Sequence, residues 1–396
     1  MNTSVPESEA RPFAQRNLHV LTLTPFFPTH RDETSGCFVA EPLAALASAG
    51  VENTILAVEP LYRPKSRASV SAPAAQWIRY FAIPGGIGLS TAGAFLYARM
   101  IAMIRELHRR RRIDVIHAHA PLPCGHAAML LRRELDIPYV VTVHGLDAFS
   151  KMQVSGRAGE WCRRISQRVY RSAARVICIS ERVRKEVLGG AGQSCRTTVI
   201  YNGVNPDLFA PSPASDSPMI LSVGNLIAIK GQELLLRSVA LLTAEFPSLT
   251  WEIIGDGPER ARLQALANDL QISERVRFLG RQSRNRVADA MRRCTLFALP
   301  SRYEALGCVY LEAMSAGKPV VACRGQGIGE VIRHGWNGVL VGVDDEKELV
   351  STVAALLRDE PRRRRVGINA RNTILNGFTL AHQAEHLASI YRECAE

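Results

Sequence analysis

The sequence lacks the cysteine patterns of secreted and zinc-binding proteins. Its 9 cysteines are scattered along 396 residues, with no Cys-x-x-Cys pair and no spacing typical of a zinc site. An odd and irregular set of thiols in a chain of this size favours a reducing compartment over a disulfide framework. We therefore expect a cytoplasmic protein with free thiols.

Long hydrophobic runs are also missing. The most apolar window, Leu89–Ile104, contains Arg99 and is shorter than the roughly 18 to 20 residues that a spanning helix needs. Residues 1–15 are polar and lack the apolar centre of a signal peptide, and we interpret them as a disordered tail. We therefore expect no segment that crosses a membrane.

Acidic residues are fewer than basic ones. Asp and Glu number 37 against 49 Lys and Arg, a net charge of +12, which predicts a surface that attracts nucleotides, phosphates, anionic lipid or nucleic acid. The basic runs lack an aromatic stacking platform or a base-reading motif, so nucleic-acid binding is disfavoured. Two runs, Arg99–Arg112 and Trp161–Arg175, are either solvated charged faces or a peripheral contact with the inner face of an anionic membrane.

Short apolar runs alternate with longer amphipathic stretches from end to end of the chain. Continuous apolar runs are typical of strands buried on both faces, as in parallel sheets covered by helices. The predicted strands are Leu18–Thr24, Asn53–Val58, Val115–His119, Tyr139–Gly145, Val176–Ser180, Thr198–Gly203, Met219–Gly224, Thr250–Gly255, Val276–Gly280, Leu296–Pro300, Pro319–Cys323 and Gly338–Val341. The repeated order of strand and helix predicts an α/β protein with two doubly wound, Rossmann-like parallel-sheet domains.

A stretch rich in Pro, Ser and Asp, residues 205–218, separates the two strand series and is interpreted as an interdomain linker. The prediction is a first domain over residues 16–204, a second over 219–376, and a C-terminal helix over 377–396 that crosses back to the first domain. Two such domains facing each other leave a cleft at the carboxyl ends of their sheets, where these folds bind ligands.

Two loops of the second domain are candidates for ligand binding. Lys230 and a glycine stand before a helix, where an ammonium, backbone N–H groups and the helix dipole can converge on a phosphate. A lysine beside a helix-capping glycine explains the same residues. Gly255 opens the turn Gly255–Pro258, which is either a structural turn or a loop that approaches a ligand.

The segment Ser301–Val321 keeps two carboxylates, Glu304 and Glu312, among small and apolar residues. Leu306–Cys308 is predicted as the first turn of a helix, with Glu304 in the loop ahead of it and Glu312 one to two turns in. A cap explains Glu304 alone, but Glu312 has core-like neighbours, and a buried carboxylate needs a partner. The vicinal hydroxyls of a ribose supply one, while the N–H groups of the first turn can bind a diphosphate.

This segment, "EALGCVYLE", resembles the Glu-x7-Glu motif of retaining glycosyltransferases with the GT-B fold, and its flanks resemble glycosyltransferase family 4. The resemblance covers about Asn17 to Tyr391. Its motifs follow in the expected order: "SGCFVAEPLAAL", "DVIHAHAP", "YVVTVHGLD", "VICISERVRKEV", "VIYNGVNPDLF", "SVGNLIAIKGQ", "IIGDGPER" and "GIGEVIRHGWNGVLV". The motif "SGCFV" is similar to a subset that acts on cell-surface polysaccharides.

The resemblance implies a role for each matching residue. Glu312 would bind the nucleotide ribose, Glu304 the donor-sugar hydroxyls and Lys230 the diphosphate. Gly36 would approach the phosphates, and the loop His144–Asp147 would lie beside the donor sugar and the acceptor. The implied catalytic residues are His144, Asp147, Glu304 and Lys230. The implied nucleotide-sugar contacts are Gly36, Asn225, Lys230, Gly255, Glu304, Ala305, Leu306, Gly307, Cys308 and Glu312, and His119 and Glu330 are cleft or acceptor residues.

Three positions depart from the family pattern. The first-domain loop often carries paired glycines, whereas here Cys37 follows Gly36. Asn225 stands where the family usually has an arginine, so Lys230 is expected to bind the phosphates alone or with Arg302 or Arg324. The loop that keeps Glu330 reads "RGQGIGE" rather than the usual paired glycines, which leaves its approach to the donor open.

Histidines mark the ends of two predicted strands. His117 and His119 alternate at the end of one strand, and we expect them to point to opposite faces, which argues against a metal pair. We expect one of them to be packed and the other, His119, to lie near the cleft. His144 precedes a glycine at another strand end, where it is either an active-site group or a satisfied loop histidine.

The resemblance implies transfer of a sugar from a UDP- or GDP-sugar to an acceptor hydroxyl with retention at the anomeric carbon. The setting would be bacterial cell-surface polysaccharide or glycoconjugate synthesis, with a lipid-linked acceptor as one option. No Asp-x-Asp is placed for a metal, so we expect no metal and no cofactor. Two alternatives stay open: a sugar-nucleotide 2-epimerase of the same fold, and a non-catalytic nucleotide-sugar-binding partner protein, which Asn225 would favour.

Overall fold

The computed structural model describes residues 17–396, apart from 31, 68, 70, 71, 150–152, 154, 193 and 213–216. The predicted tail over residues 1–15 and part of the predicted linker, residues 213–216, lie outside the described residues.

A parallel sheet of seven strands forms the first domain. The strands are β1 (Leu18–Thr24), β2 (Val51–Pro60), β3 (Gln76–Tyr80), β4 (Val115–His119), β5 (Tyr139–Val143), β6 (Arg175–Cys178) and β7 (Thr197–Val199). Their order in the sheet is β3-β2-β1-β4-β5-β6-β7. The connecting helices are α1 (Cys37–Ser48), α2 (Gly85–Arg110), α3 (His126–Leu135), α4 (Gly156–Ser172) and α5 (Glu181–Ala191).

The second domain repeats this design with six strands. They are β8 (Met219–Val223), β9 (Thr250–Ile254), β10 (Val276–Gly280), β11 (Leu296–Ala298), β12 (Val320–Cys323) and β13 (Val339–Val341), in the order β10-β9-β8-β11-β12-β13. The helices are α6 (Gln232–Leu242), α7 (Arg260–Asp269), α8 (Arg284–Arg293), α9 (Cys308–Ser315), α10 (Glu346–Arg358) and α11 (Glu360–Leu375). Every strand pair is parallel, which confirms the predicted two doubly wound domains.

Burial explains why the sequence revealed most of the strands. β4, β5 and β8 are buried along their whole length, as expected for central parallel strands covered by helices on both faces. β3 was not predicted. It lies at an edge of its sheet, and its side chains alternate between exposed or half-buried and buried positions, so it has no continuous apolar run.

The last helix, α12 (Leu380–Ala395), returns to the first domain. Its apolar face joins the core beside β1 and α1, where Leu387 and Tyr391 are buried. The Tyr391 hydroxyl lies 2.6 Å from His117 Nδ1 on β4, and Arg392 donates a hydrogen bond to the carbonyl of Ala49. The two domains are therefore joined both by the linker and by this second crossing of the chain.

Candidate functional site

A cavity of about 850 Å³ lies between the carboxyl ends of the two sheets. The first domain contributes the loop after β1 and Arg63, and the second contributes the loops after β8, β9 and β10 and the start of α9. Eight of the predicted nucleotide-sugar contacts line this cavity: Gly36, Asn225, Lys230, Gly255, Glu304, Gly307, Cys308 and Glu312. Residues of both domains that carry the predicted motifs therefore face each other across this cavity.

Glycines bring two backbone segments close together at this cavity. Gly36 has a φ of +76°, and a Cβ there would lie 2.4 Å from the carbonyl carbon of Phe26, so the loop after β1 folds onto itself only with glycine. A Cβ on Gly255 would lie 1.9 Å from the carbonyl oxygen of Gly224. Both positions therefore need glycine for the close packing of backbone segments that form the cavity wall.

Lys230 and Glu304 form a buried ion pair in the wall of the cavity. The Lys230 Nζ lies 2.6 Å from Glu304 Oε1, which also accepts a hydrogen bond from the Ser301 hydroxyl at 3.0 Å. Glu304 is 5% exposed, and its own N–H donates to the side-chain oxygen of Gln326. The loop is therefore fixed at both the backbone and the carboxylate, while the ammonium still reaches the cavity.

The helix after Glu304 begins at Cys308, two residues later than Leu306, where its first turn was predicted to begin. α9 starts at Cys308, because Gly307 has a left-handed φ of +84° and acts as the N-cap. Leu306 precedes the helix and is fully buried in the core. Ala305 contacts the first domain instead of lining the cavity: its carbonyl accepts a hydrogen bond from the Ser180 hydroxyl. In the first turn of α9 the Tyr310 N–H donates to the carbonyl of Gly307, whereas the N–H groups of Cys308 and Val309 have no acceptor within the helix, as at any helix start.

Glu312 is buried, as expected, but its partner in the structure is an arginine. Arg284 Nη1 donates to Glu312 Oε1 at 2.7 Å, whereas Glu312 Oε2 is buried and has no hydrogen-bond partner among the described residues. The same guanidinium bonds Glu41 of α1 through Nε at 2.8 Å and Nη2 at 3.1 Å. Burial by itself would lower the pKa of Arg284, but the neighbouring carboxylates raise it above its usual value.

The prediction that His117 and His119 point to opposite faces is wrong. Side chains alternate along a strand, so residues two apart share a face, and the two rings lie 4.2 Å apart. His117 bonds Thr142 and Tyr391, while His119 Nδ1 lies 3.1 Å from His144 Nε2. Neither His119 nor His144 lines the large cavity.

Burial keeps these histidines neutral. It lowers the pKa of His117 and of His144 to about 3, and that of His119 well below its ordinary value. Phe26 and Phe38, which do line the cavity, pack on the His144 ring with centroids 5.7 and 4.8 Å away. His144 is therefore placed behind an aromatic layer of the cavity wall.

Asp147 supports the loop that carries His144. Its Oδ1 accepts a hydrogen bond from the His144 N–H at 2.8 Å, and its Oδ2 has no partner among the described residues. Burial raises the pKa of Asp147 to about 7, although backbone N–H groups oppose the shift. Gly145, between the two, packs against Ala305, where a Cβ would come within 2.4 Å of the alanine Cβ. The loop is thus part of the contact between the domains.

Glu330 lies at another interdomain contact, away from the large cavity. Its carboxylate accepts hydrogen bonds from the N–H groups of Glu181 and Arg182 at the start of α5, and from the Tyr201 hydroxyl. A carboxylate at this position satisfies donors of the first helical turn. Glu330 therefore caps the start of α5 from the other domain.

Three arginines that line the cavity were not predicted: Arg63, Arg281 and Arg284. Arg281 pairs with Asp32 of the first domain. It follows β10 directly, and a basic residue at the end of a strand is the sequence feature that could have identified it. The two arginines that we considered as phosphate cations, Arg302 and Arg324, instead pair with Asp344 and Glu348 and do not line the cavity. Lys230 was predicted from its motif, but sequence proximity to the motifs did not identify the arginines of the cavity.

The residues that the structure describes lack two features. They contain no cluster of three or more His, Cys, Asp or Glu side chains that could hold a metal ion. They also contain no helix with the length and hydropathy that crossing a bilayer requires.

Comparison with known proteins gives two family matches that together span both domains. Residues 38–208 match the model described as Glycosyltransferase Family 4, and residues 205–373 match Glycosyl transferases group 1. The chain is 31% identical over 322 residues to D-inositol 3-phosphate glycosyltransferase of Corynebacterium diphtheriae, covering 76% of this chain and 75% of that protein. It is 29% identical over 381 residues to alpha-D-kanosaminyltransferase of Streptomyces kanamyceticus, covering 88% and 96%.

Solved structures with low sequence identity share the fold. Sucrose-phosphate synthase from Thermosynechococcus elongatus superposes with a TM-score of 0.79 at 22% identity, covering 95% of this chain and 98% of that one. The Anabaena protein HepE, in complex with UDP-glucose, gives a TM-score of 0.75 at 21% identity, covering 95% and 100%. With both family models matched and both domains doubly wound, the chain belongs to glycosyltransferase family 4 and is a glycosyltransferase with the GT-B fold.

Proposed function

We propose that the protein transfers a sugar from a nucleoside diphosphate sugar to an acceptor hydroxyl with retention at the anomeric carbon. The observation that carries this proposal is the placement of Lys230, Glu304 and Glu312 in the wall of one cavity with the start of α9. An ammonium and free N–H groups suit a diphosphate leaving group, whose developing charge they would stabilise. The buried, unpartnered Oε2 of Glu312 suits a ribose hydroxyl.

The donor is proposed to be a UDP- or GDP-sugar. The cavity has enough volume for such a molecule, since ligand sites are typically about 300 to 1,000 Å³. The solved structure of HepE with UDP-glucose shows that a protein of this fold binds such a donor. Arg63 adds positive charge to the cavity wall, which offsets the absence of an arginine at Asn225, whereas Arg281 is paired there with Asp32.

The test is a thermal-shift screen of UDP-, GDP- and ADP-sugars, because a ligand that binds the folded state raises the melting temperature by mass action. One nucleotide class should stabilise the wild type, and Glu312→Ala should lose that stabilisation. Product analysis should then show a glycoside with the anomeric configuration of the donor. An epimerised donor formed without acceptor would favour the 2-epimerase, and binding without turnover would favour the non-catalytic protein.

The reaction is proposed to need no metal, since Lys230 and helix N–H groups supply the charge for the diphosphate. Activity should survive EDTA. A strict dependence on added Mg²⁺ or Mn²⁺ would contradict this description of phosphate binding.

A peripheral contact with an anionic membrane is also proposed, at the inner face of the cell membrane in surface-polysaccharide or glycoconjugate synthesis. The basic runs first considered for it are largely neutralised, since Arg105, Arg109 and Arg110 pair with glutamates of the same domain. A different surface suits the contact better. We call it the apolar patch, and its members are Leu61, Tyr62, Phe81, Ile83 and Phe95, each at least 40% exposed.

The apolar patch adjoins Arg63, a residue of the cavity wall, and Arg99, which follows Phe95 by one helical turn. Phe81 and Phe95 pack with ring centroids 5.0 Å apart, and Arg63, which follows Leu61 and Tyr62 directly, lines the cavity. Among the described residues Arg63 and Arg99 form no ion pair with a carboxylate. Exposed aromatic residues beside unpaired cations suit the interface of an anionic bilayer.

Vesicle co-sedimentation tests this contact. The wild type should sediment with phosphatidylglycerol vesicles at low salt and not with phosphatidylcholine vesicles. Phe81→Ser combined with Phe95→Ser should abolish sedimentation, while Ile368→Ser, at an exposed apolar position of the second domain, should leave it unchanged. Absence of wild-type binding at low salt would leave the patch as ordinary surface.

A further inference from the structure

Arg284 lies where both domains, the linker and the proposed nucleotide site meet. Its guanidinium bonds Glu41 of the first domain and Glu312 of the second, and it lies 4.9 Å from the ring centroid of Phe209 in the linker. We call Glu41, Arg284 and Glu312 the interdomain triad. Its side chains are at most 25% exposed, so the charges are largely removed from water.

A buried triad of this kind is most sensitive to the loss of its arginine. Without Arg284, two buried carboxylates would lack a compensating charge, which is far more costly than the loss of an exposed pair. The second ion pair between the domains at this cavity, Arg281 with Asp32, has its arginine 52% exposed and contributes correspondingly less. The triad is therefore the stronger electrostatic connection between the domains at the cavity.

The way Arg284 divides its donors determines what Glu312 can bind. Glu41 occupies Nε and Nη2, the pair of donors that forms a planar fork, so Nη1 alone reaches Glu312 and bonds one oxygen, Oε1. This leaves Oε2 without a hydrogen-bond partner among the residues that the structure describes. If the domains separate, Glu41 departs with α1, and the guanidinium is free to take both oxygens of Glu312 in a bidentate pair.

We propose that Arg284 is a positioning residue that couples nucleotide binding at Glu312 to closure of the two domains through Glu41. Closure places Glu41 on the guanidinium fork and leaves Oε2 of Glu312 available to a ribose hydroxyl. Separation allows Arg284 to occupy both oxygens of Glu312 and compete with the ribose. By thermodynamic reciprocity, nucleotide binding must then favour the closed arrangement to the same extent. The inference rests on the proposed nucleotide-sugar site.

The first test measures nucleotide affinity by calorimetry, with UDP as the probe and GDP and ADP alongside. Glu41→Gln, which changes a residue of the other domain that does not line the cavity, should weaken binding about tenfold, within the usual range of coupling between sites. The same substitution in a Glu312→Gln background should weaken binding less than about threefold, because the coupled partner is gone. Glu52→Gln removes an exposed pair with Arg111 within the first domain and should leave affinity unchanged.

The second test reads closure itself, by small-angle scattering with and without the nucleotide. The wild type should become more compact with UDP, and Glu41→Gln should lose most of that compaction, a response that a purely structural role would not produce. Arg284→Lys keeps the charge but lacks the planar fork of donors. It serves as the second variant if Glu41→Gln folds poorly, and it should show the same losses of nucleotide affinity and of compaction.

The outcomes separate this inference from the proposed function. The coupling would be overturned if a folded Glu41→Gln or Arg284→Lys variant bound the nucleotide as tightly as the wild type and became equally compact. That result would not affect the proposed nucleotide site. Failure of the wild type to bind any of the three nucleotides would overturn the proposed function, and the coupling with it.

Discussion

The proposed chemistry depends on Lys230 more than on any other single residue. Its ammonium lies 2.6 Å from Glu304 Oε1, so the carboxylate holds it in place at the cavity wall. Replacing Lys230 by Met keeps much of the apolar stem and removes the charge that would stabilise the leaving diphosphate. We expect kcat/KM to fall by about a hundredfold or more, as for the loss of one donor to a developing anion. Initial rates with the donor found in the screen measure this effect.

Lys347→Met provides the matched control for that experiment, since Lys347 is exposed in the same domain. Its activity should equal that of the wild type. A Lys230→Met enzyme with wild-type kcat/KM would contradict the proposed phosphate contact.

Asp147 allows a pH prediction with a definite sign. Burial raises its pKa from 3.8 to about 7, so the folded protein holds a proton that the unfolded chain has lost over that range. This stabilising contribution is complete below pH 3.8 and is lost as the pH rises through 7. Asp147→Asn removes the titration but keeps an acceptor for the His144 N–H. The free energy of unfolding of the variant relative to the wild type should therefore rise between pH 4.5 and 8.

Urea denaturation at several pH values measures this difference. Parallel stability curves for Asp147→Asn and the wild type would show that Asp147 is not protonated in the folded protein near neutral pH.

Single residues differ in how much the sequence reveals of them. Glu304 and Glu312 were predicted as site residues because their spacing within one short segment fixes their relation to one loop and helix, and both line the cavity. The pairing of Arg284 with Glu41 joins residues 243 positions apart. No local pattern encodes such a contact, since it depends on how two separately folded domains face each other.

Secondary-structure elements also differ in how much of them the sequence reveals. Central strands were found because burial on both faces demands continuous apolar residues, whereas β3 at the sheet edge meets no such demand. The relation of His117 to His119 could have been predicted correctly, since strand geometry alone places them on one face. Their contact with His144 and Tyr391 could not, because it arises from a neighbouring strand and from the last helix.

The turn from β1 into α1 gives a prediction with an internal control. Gly36→Ala would place a Cβ 2.4 Å from backbone atoms of Phe26 and Phe27, at a left-handed φ of +76°. Gly85→Ala has a similar φ of +86° but meets nothing within 4 Å. We expect Gly85→Ala to cost about 1 kcal/mol of unfolding free energy from backbone strain. Gly36→Ala should cost clearly more and also weaken nucleotide binding, because the loop must move into the cavity.

Denaturant melts and nucleotide titrations of the two variants separate the effect of backbone strain from the effect of moving the loop. Equal destabilisation of both variants with unchanged nucleotide affinity would mean that the loop tolerates a side chain at Gly36.

The architecture of the entire chain was predictable because strand and helix alternate twice with a polar break between the series. The relative position of the domains was not, since it depends on small polar contacts such as Glu330 with the start of α5. For the end of the chain we predicted a helix that crosses back to the first domain, and α12 packs there. Its buried face belongs to the core of the first domain, so that domain is completed by the last residues of the chain.

This connection predicts that a change near the C-terminus weakens the distant first domain. Leu387 of α12 is 4% exposed and packs in the core with β1 and α1, so Leu387→Ala should cost about 2 to 5 kcal/mol of unfolding free energy. Ser389→Ala, at an exposed position of the same helix, should cost less than about 0.5 kcal/mol. In hydrogen exchange, Leu387→Ala should accelerate the amides of β1 and β4 and leave those of β8 and β9 unchanged. Equal acceleration of both sheets would show that the two domains unfold together, and no acceleration of β1 would show that α12 is dispensable to the first domain.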